Sequence, residues 1–184
     1  MSDADEAKAS RLNKRKIIEA ARDLIETQGA QSFSMRSLSK ALGVSPMALY
    51  RHTGDRANLL GLVLDMVLIE RDNRASIGLQ GRSFADLAYF YGDLVTHNPQ
   101  VFMAFLSEPD AKSDEAVKLS QQMLEALLRA GRSADDAVLM RDIVVDHAHG
   151  YLLAGVAQKD PAVLRELRAG YAAASQLLID RLTA

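Results

Sequence analysis

Three of this chain's four prolines stand directly after a residue that can cap a helix. In Ser45-Pro46, Asn98-Pro99 and Asp160-Pro161 a polar side chain precedes the first helical position, where proline's missing N–H costs nothing. The stretches between these marks have helical periodicity. Lys14 to Gln28 carries Ile17, Ala21 and Leu24 on one face with Ile18 and Ile25 beside it, and Gly29 stops it. Ser34 caps a short helix to Leu42, ended by Gly43, and Ser45-Pro46 opens a third that ends near His52. Asp55 caps a fourth, through Leu60, Val63, Leu64, Val67 and Leu68 to about Ser76. Ser83 opens a helix to about His97, Asn98-Pro99 one to about Ser107, and Ser113 one to Ala130, halted by Gly131. Ser133, with Asp136 at capping-box spacing, begins a long helix to about Lys159, and Asp160-Pro161 begins the last, to about Leu182. No segment alternates apolar and polar residues between turn signals. The fold class predicted is all-α, with nine helices.

With 184 residues the chain is long enough to bury a core without disulfides or metals, and it has no cysteine to supply either a disulfide or a zinc–thiolate site. Its opening, MSDADEAKAS, is acidic and polar, the reverse of a secretion signal, and residues 1–10 are expected to be disordered. The longest apolar stretch, Leu59 to Ile69, is broken by Asp65 and far short of the ~20 residues that span a bilayer. A cytoplasmic protein is expected. The net charge of −2 hides a strong asymmetry: residues 8–56, which include Lys8 and Arg11, hold ten basic against four acidic groups, while residues 57–184 hold twelve against seventeen. A basic head on an acidic body is what a protein shows when one part meets phosphates, although a solvated charged face produces the same pattern.

The head contains the most informative run, from Ser34 to His52. Two short helices joined through Gly43-Val44-Ser45 make a helix-turn-helix, with Leu38, Leu42, Val44 and Leu49 as its expected small core. Gly43 falls where the turn requires a left-handed backbone. The second helix can then lie in a major groove, front residues toward the bases, with Tyr50 and His52 at its far end placed to donate to phosphates.

The string Ile17-Ile18-Glu-Ala-Ala-Arg-Asp-Leu24, Gly29, Leu38, Leu42-Gly-Val-Ser45, Leu49-Tyr-Arg-His52 and Leu59-Leu60 resembles the N-terminal signature of the TetR family of transcriptional regulators. The resemblance covers roughly residues 12–64. It implies that Arg36 reaches a base or phosphate and that Ser45, Pro46, Met47 and Ala48 form the front of a recognition helix. It further implies that Tyr50, Arg51, His52 and Arg56 meet the DNA backbone. Three positions depart from the pattern. Ser39 replaces a customary alanine, and Thr53 stands where an apolar residue is usual, predicting looser packing there. Pro46, Met47 and Ala48 offer few hydrogen bonds, so thymine methyls, Arg36 and DNA shape are expected to carry specificity. Tyr50 packed on the first helix, and His52 as a plain exposed helix end, are the structural alternatives. Lys14, Arg15 and Lys16 read as a solvated face that adds non-specific phosphate attraction.

The resemblance also implies a homodimer through the last two helices. The small residues of Ala148–Gly155 and Ala169–Ser175 permit close helix approach, with Leu152, Val156, Leu167, Leu177 and Leu178 as the apolar seam. Six of the ten aromatics fall between residues 84 and 105. The resemblance puts helices five and six, with four, seven and eight, around a ligand chamber. The predicted lining is Phe90, Tyr91, Phe102, Met103, Phe105, Met123, Met140, His147 and Tyr151, and plain core packing is the alternative for each. Such a lining favours a largely apolar effector. His147 and His149 stand two apart on one helix, point differently and cannot chelate one ion, and His97 reads as a C-terminal cap. No metal, cofactor or enzymatic site is expected. The predicted domains are a DNA-binding head, 1–56, and a ligand-binding and dimerisation body, 57–184. The predicted function is a ligand-responsive DNA-binding regulator, most simply a repressor released by its effector. A DNA-binding structural or cell-division factor without an inducer is the alternative, favoured by a filled body core.

Overall fold

The computed structural model describes residues 13–75, 78–156, 158 and 160–183. The first ten residues, Lys8, Arg11, and the helix ends expected near Ser76 and Lys159 lie outside these, as does the side chain of Val156. Among the described residues there are nine α-helices and no strand: α1 (Lys14–Gln28), α2 (Met35–Leu42), α3 (Pro46–Thr53), α4 (Arg56–Ala75), α5 (Phe84–His97), α6 (Pro99–Leu106), α7 (Asp114–Arg129), α8 (Ala134–Val156) and α9 (Pro161–Thr183). A single 3₁₀ turn, Ala30–Ser32, follows α1.

The starts are set by hydrogen bonds from local side chains. Ser34 and Ser37 form a reciprocal capping box on α2, and Ser83 and Asp86 form another on α5. Asp55 Oδ1 accepts from Asn58 N at 2.8 Å, Ser133 Oγ from Asp136 N at 3.1 Å, and Asp160 Oδ1 from Ala162 N at 2.8 Å. Asn13 caps α1 in the same way, its side chain accepting from Lys16 N. Ser113, just ahead of α7, is buried and donates its hydroxyl to Asp65 Oδ1 at 2.6 Å.

The helices form two compact units. The first comprises residues up to Val67 together with Gln100–Asp114. It reaches past the predicted boundary at Arg56 because Leu59, Leu60, Val63 and Leu64 are all buried. The segment 100–114 is tied in as well. Gln100 Oε1 accepts from Ala30 N at 3.0 Å, and Glu26 Oε1 accepts from Val101 N at 3.2 Å. Burial raises the Glu26 carboxyl above its ordinary range, with the Val101 and Gln100 amides and Arg22 opposing. The second unit comprises Leu68–Pro99 and residues from Glu115 onward, and α5, α8 and α9 pack on one another within it. Gly92 of α5 lets that packing close, since a Cβ there would lie 2.5 Å from the Tyr171 hydroxyl.

Candidate functional site

In the first unit α1, α2 and α3 pack mutually, and the turn between α2 and α3 has the predicted geometry. Gly43 is left-handed at φ 65° and ψ 38°, and Ser45 Oγ accepts from Ala48 N at 3.3 Å above Pro46 at the first helical position. Leu38 and Leu49 are fully buried as expected, but Leu42 and Val44 are only half-buried. Ser39, Ala48 and Thr53 complete that small core instead. Ser39 Oγ donates to Arg36 O at 2.9 Å and Thr53 Oγ1 to Leu49 O at 3.0 Å. Each hydroxyl is therefore satisfied inside its own helix. Thr53 does not loosen the packing, being 1% exposed.

What α3 turns outward is Pro46, Met47, Tyr50 and Arg51, one helical face, with Ser45 exposed before it and His52 beside it. Met47 is 65% exposed, a large apolar side chain held in solvent at the front of the helix. Arg36 is exposed near the start of α2, and Lys40, one turn further, is exposed as well. Two of the residues predicted to meet DNA have other surroundings in the chain. Ala48 is 6% exposed because it faces the core with Leu49, and so presents no methyl to a base edge. Arg56 is held in an ion pair by Glu108, its guanidinium 5.9 Å from the Phe33 ring centroid, so its charge is already matched within the unit.

The second unit contains a cavity of about 430 Å³ between α5, α8 and α9. Ala88, Val144, Leu178 and Ile179 give it apolar walls; Tyr89, Thr96, Ser175 and Gln176 add hydroxyl and amide groups; and Asp93 and Arg168 are its charged members. The His147 ring stacks on Tyr171 at 4.9 Å between centroids, and Tyr171 meets Tyr151 at 4.6 Å. A second hollow of about 520 Å³ lies between α8 and α9, where Gly150, Ala154, Gly170 and Ala174 leave space between larger side chains such as Tyr151 and Leu167.

Of the predicted lining, His147 borders both spaces and Tyr151 only the second. The other predicted residues line neither. Phe90, Met123 and Met140 are buried core of the second unit, and Phe102 is buried in the first, with Met103 and Phe105 half-buried there. Tyr91 turns instead to His149, its hydroxyl 2.6 Å from Nε2. Of the six aromatics clustered between residues 84 and 105, Tyr89 lines the cavity while Phe84, Phe90 and Phe102 are buried core. The residues that do line it come largely from α9, whose Tyr171 and Ser175 had read only as part of a small-residue run.

Residues 17–63 match the family described as bacterial regulatory proteins, tetR family. The HTH-type transcriptional repressor DrrR1 of Streptomyces coeruleorubidus is 35% identical over 63 residues, a match spanning 34% of this chain and 23% of the repressor. The family likeness in sequence thus rests on residues 17–63, about a quarter of the chain. Beyond that segment the chain is similar to solved structures at the level of fold. A possible TetR family transcriptional regulator from Streptomyces coelicolor A3(2) superposes with a TM-score of 0.73 at 20% identity, covering 92% of this chain and 98% of that one. BioQ with its double-stranded DNA operator superposes with a TM-score of 0.68 at 21% identity, over 94% and 99%. Among the described residues no helix is long and apolar enough to cross a membrane, and no three His, Asp or Glu side chains are grouped to hold a metal ion.

The histidines of the second unit have separate partners. His97 Nδ1 donates to Asp93 O at 2.8 Å, a C-terminal cap interaction. His147 Nε2 lies 3.1 Å from Ser175 Oγ, whereas His149 faces Tyr91 from one side and Asp146 from its own helix. Burial lowers the His149 pKa against the opposing pull of Asp146, and burial likewise pushes the Tyr91 hydroxyl well above the phenol range. The unfolded chain therefore binds a proton at this ring more readily than the folded one does. Stability contributed by neutral His149 is fully present above about pH 6.5 and is lost progressively below it, as the pH falls through the lowered folded-state pKa. Thermal melts from pH 7.5 to 5.5 should show a smaller acid-side loss in His149→Gln than in wild type; equal losses would assign the acid sensitivity elsewhere.

Proposed function

We propose that this chain is a sequence-specific DNA-binding transcriptional regulator, acting as a homodimer on a pseudo-palindromic operator and released from it by a small molecule. The observation that carries the reading is the outward face of α3. Pro46, Met47, Tyr50 and Arg51 stand exposed on a helix whose position is locked by the Gly43 turn and the Ser45 cap. Exposed Met47 suits thymine methyl groups, and Tyr50, Arg51 and His52 suit phosphates. Arg36 and Lys40 extend the basic edge along α2, so Lys40 joins the contact set that Ala48 leaves. The operator-bound BioQ relative shares the fold, which supports docking of the same helix in a major groove.

Dimerisation is supported by the α8–α9 surface. Leu153 is 64% and Leu177 61% exposed beside the hollow lined by Gly150, Ala154, Leu167 and Gly170. The predicted seam residue Leu152 is only 1% exposed, because it continues the buried stripe of Val144 and Ala148, so the seam falls on Leu153 instead. The open cavity in the second unit supports an effector over the alternative of an inducer-free structural factor. An effector that prefers one of two head spacings shifts the population away from the operator-bound one, and α4, which has residues in both units, carries that shift.

Genomic binding selection with the purified protein, then titration of the recovered site at several salt concentrations, tests this reading. A pseudo-palindrome bound with a steep salt slope is expected. Arg36→Ala should lower operator affinity about tenfold and narrow the gap to scrambled DNA. Weak, sequence-indifferent binding would overturn the proposal.

A further inference from the structure

The cavity between α5, α8 and α9 has one uncommitted polar group. Tyr89 donates to Gln176 Oε1 at 2.6 Å, and Gln176 Nε2 donates to Asp180 at 2.8 Å. Ser175 is engaged with His147, and Thr96 Oγ1 donates to Asp93 O at 3.0 Å. The Asp93 carboxylate faces Arg71 Nη2 at 2.6 Å and His97 Nδ1 at 3.2 Å. Arg168 alone among the charged lining residues has no ion pair or hydrogen bond within the described residues. The negative lining charge is thus matched inside the protein, and the positive one is left over. The pairings Tyr89–Gln176 and Gly92–Tyr171 show that α5 and α9 run antiparallel. Arg168 therefore shares one end of the cavity with Asp93 and Thr96, while Ile179 belongs to the other.

We infer that this cavity binds an amphipathic monoanion: an apolar body against Ala88, Val144, Leu178 and Ile179, with a carboxylate or comparable anionic end on Arg168. The volume, about 430 Å³, suits a compact organic acid of one or two rings or a medium alkyl chain. Guanidinium is suited to a carboxylate because its planar fork can donate two parallel hydrogen bonds. An uncharged apolar molecule would use the walls and leave Arg168 unused. The inference refines the effector class named above and rests on that reading only for its consequence on DNA, not for binding itself.

The test uses the full chain and two isosteric probes, 2-naphthoate and the neutral 2-naphthylmethanol, with affinity measured by equilibrium dialysis. Naphthoate should bind about fivefold more tightly than the alcohol, the modest factor appropriate to an exposed cation. Arg168→Gln should abolish that difference and leave the alcohol unchanged, while Arg181→Gln, an equal charge loss elsewhere on α9, should preserve it. Ala172→Phe, at an exposed lining position, should exclude both probes. Equal affinities in wild type, or unchanged discrimination in Arg168→Gln, would overturn the anionic assignment. Undiminished binding to Ala172→Phe would overturn the site. Naphthoate that binds as stated but leaves operator affinity unchanged would confirm the site and remove the effector reading. Discrimination that survives in a protein binding no operator would confirm the site and remove the DNA reading.

Discussion

Gly61→Ala is expected to destabilise the protein by about 3 kcal/mol, although at an ordinary mid-helix position the same change gains ~1 kcal/mol. A Cβ built on Gly61 would sit 1.9 Å from the carbonyl oxygen of Lys112 and 2.9 Å from its carbon. Both are backbone atoms, so no rotamer change can relieve the overlap; α4 or the segment carrying Lys112 must move. That segment is pinned on either side, by the Glu108–Arg56 ion pair and by the Ser113–Asp65 hydrogen bond. The displacement would therefore disturb contacts on both flanks. For a chain of this size about 3 kcal/mol corresponds to a fall in Tm of roughly 6–12 °C. Thermal melts of the variant beside wild type check this, and an unchanged or raised Tm would mean that α4 and residue 112 do not touch in solution.

The requirement at Gly61 was illegible in the sequence. A glycine within an apolar helix reads as a mild propensity defect, and its reason lies on a segment far along the chain. The same distinction separates most of what could be read from what could not. Ser34, Ser45, Asp55, Ser83, Ser133 and Asp160 announce helix starts through bonds made within three residues, so the helix count and nearly every boundary follow from local chemistry. The left-handed Gly43 and the family signature around it follow in the same way. Ala48 and Leu152 could not be placed by type alone. Both are small or apolar residues next to positions that face outward, and only the packed structure shows that each faces the core. Thr53 looked like a misfit until its hydroxyl was seen to bond within its own helix. The cavity was missed for a third reason. Half of its wall is α9, where Arg168, Tyr171 and Ser175 are separated by alanines and Gly170, while the conspicuous aromatics of α5 and α6, Tyr89 excepted, turn away from it.

The second large effect expected is at the proposed dimer surface. Leu153→Glu combined with Leu177→Glu should convert the dimer to a monomer and weaken binding to the full operator about 100-fold or more. Both side chains are mostly exposed in the single chain, so glutamate at either costs the fold little. Between subunits the same substitution would place carboxylates on either side of a twofold axis, desolvated and facing like charge. The flanking hollow, with Gly150, Ala154, Gly170 and Ala174, leaves room for a helix to approach closely. Losing the dimer does not alter α3, so affinity for an isolated half-site should persist while the gain from linking two heads disappears. Linked binding of this kind is worth about 10²- to 10⁴-fold. Light scattering at micromolar concentration, circular dichroism, and titration of full and half operators separate the possibilities. A helical monomer with unchanged half-site binding supports the α8–α9 interface; a variant that remains dimeric places the contact between subunits elsewhere.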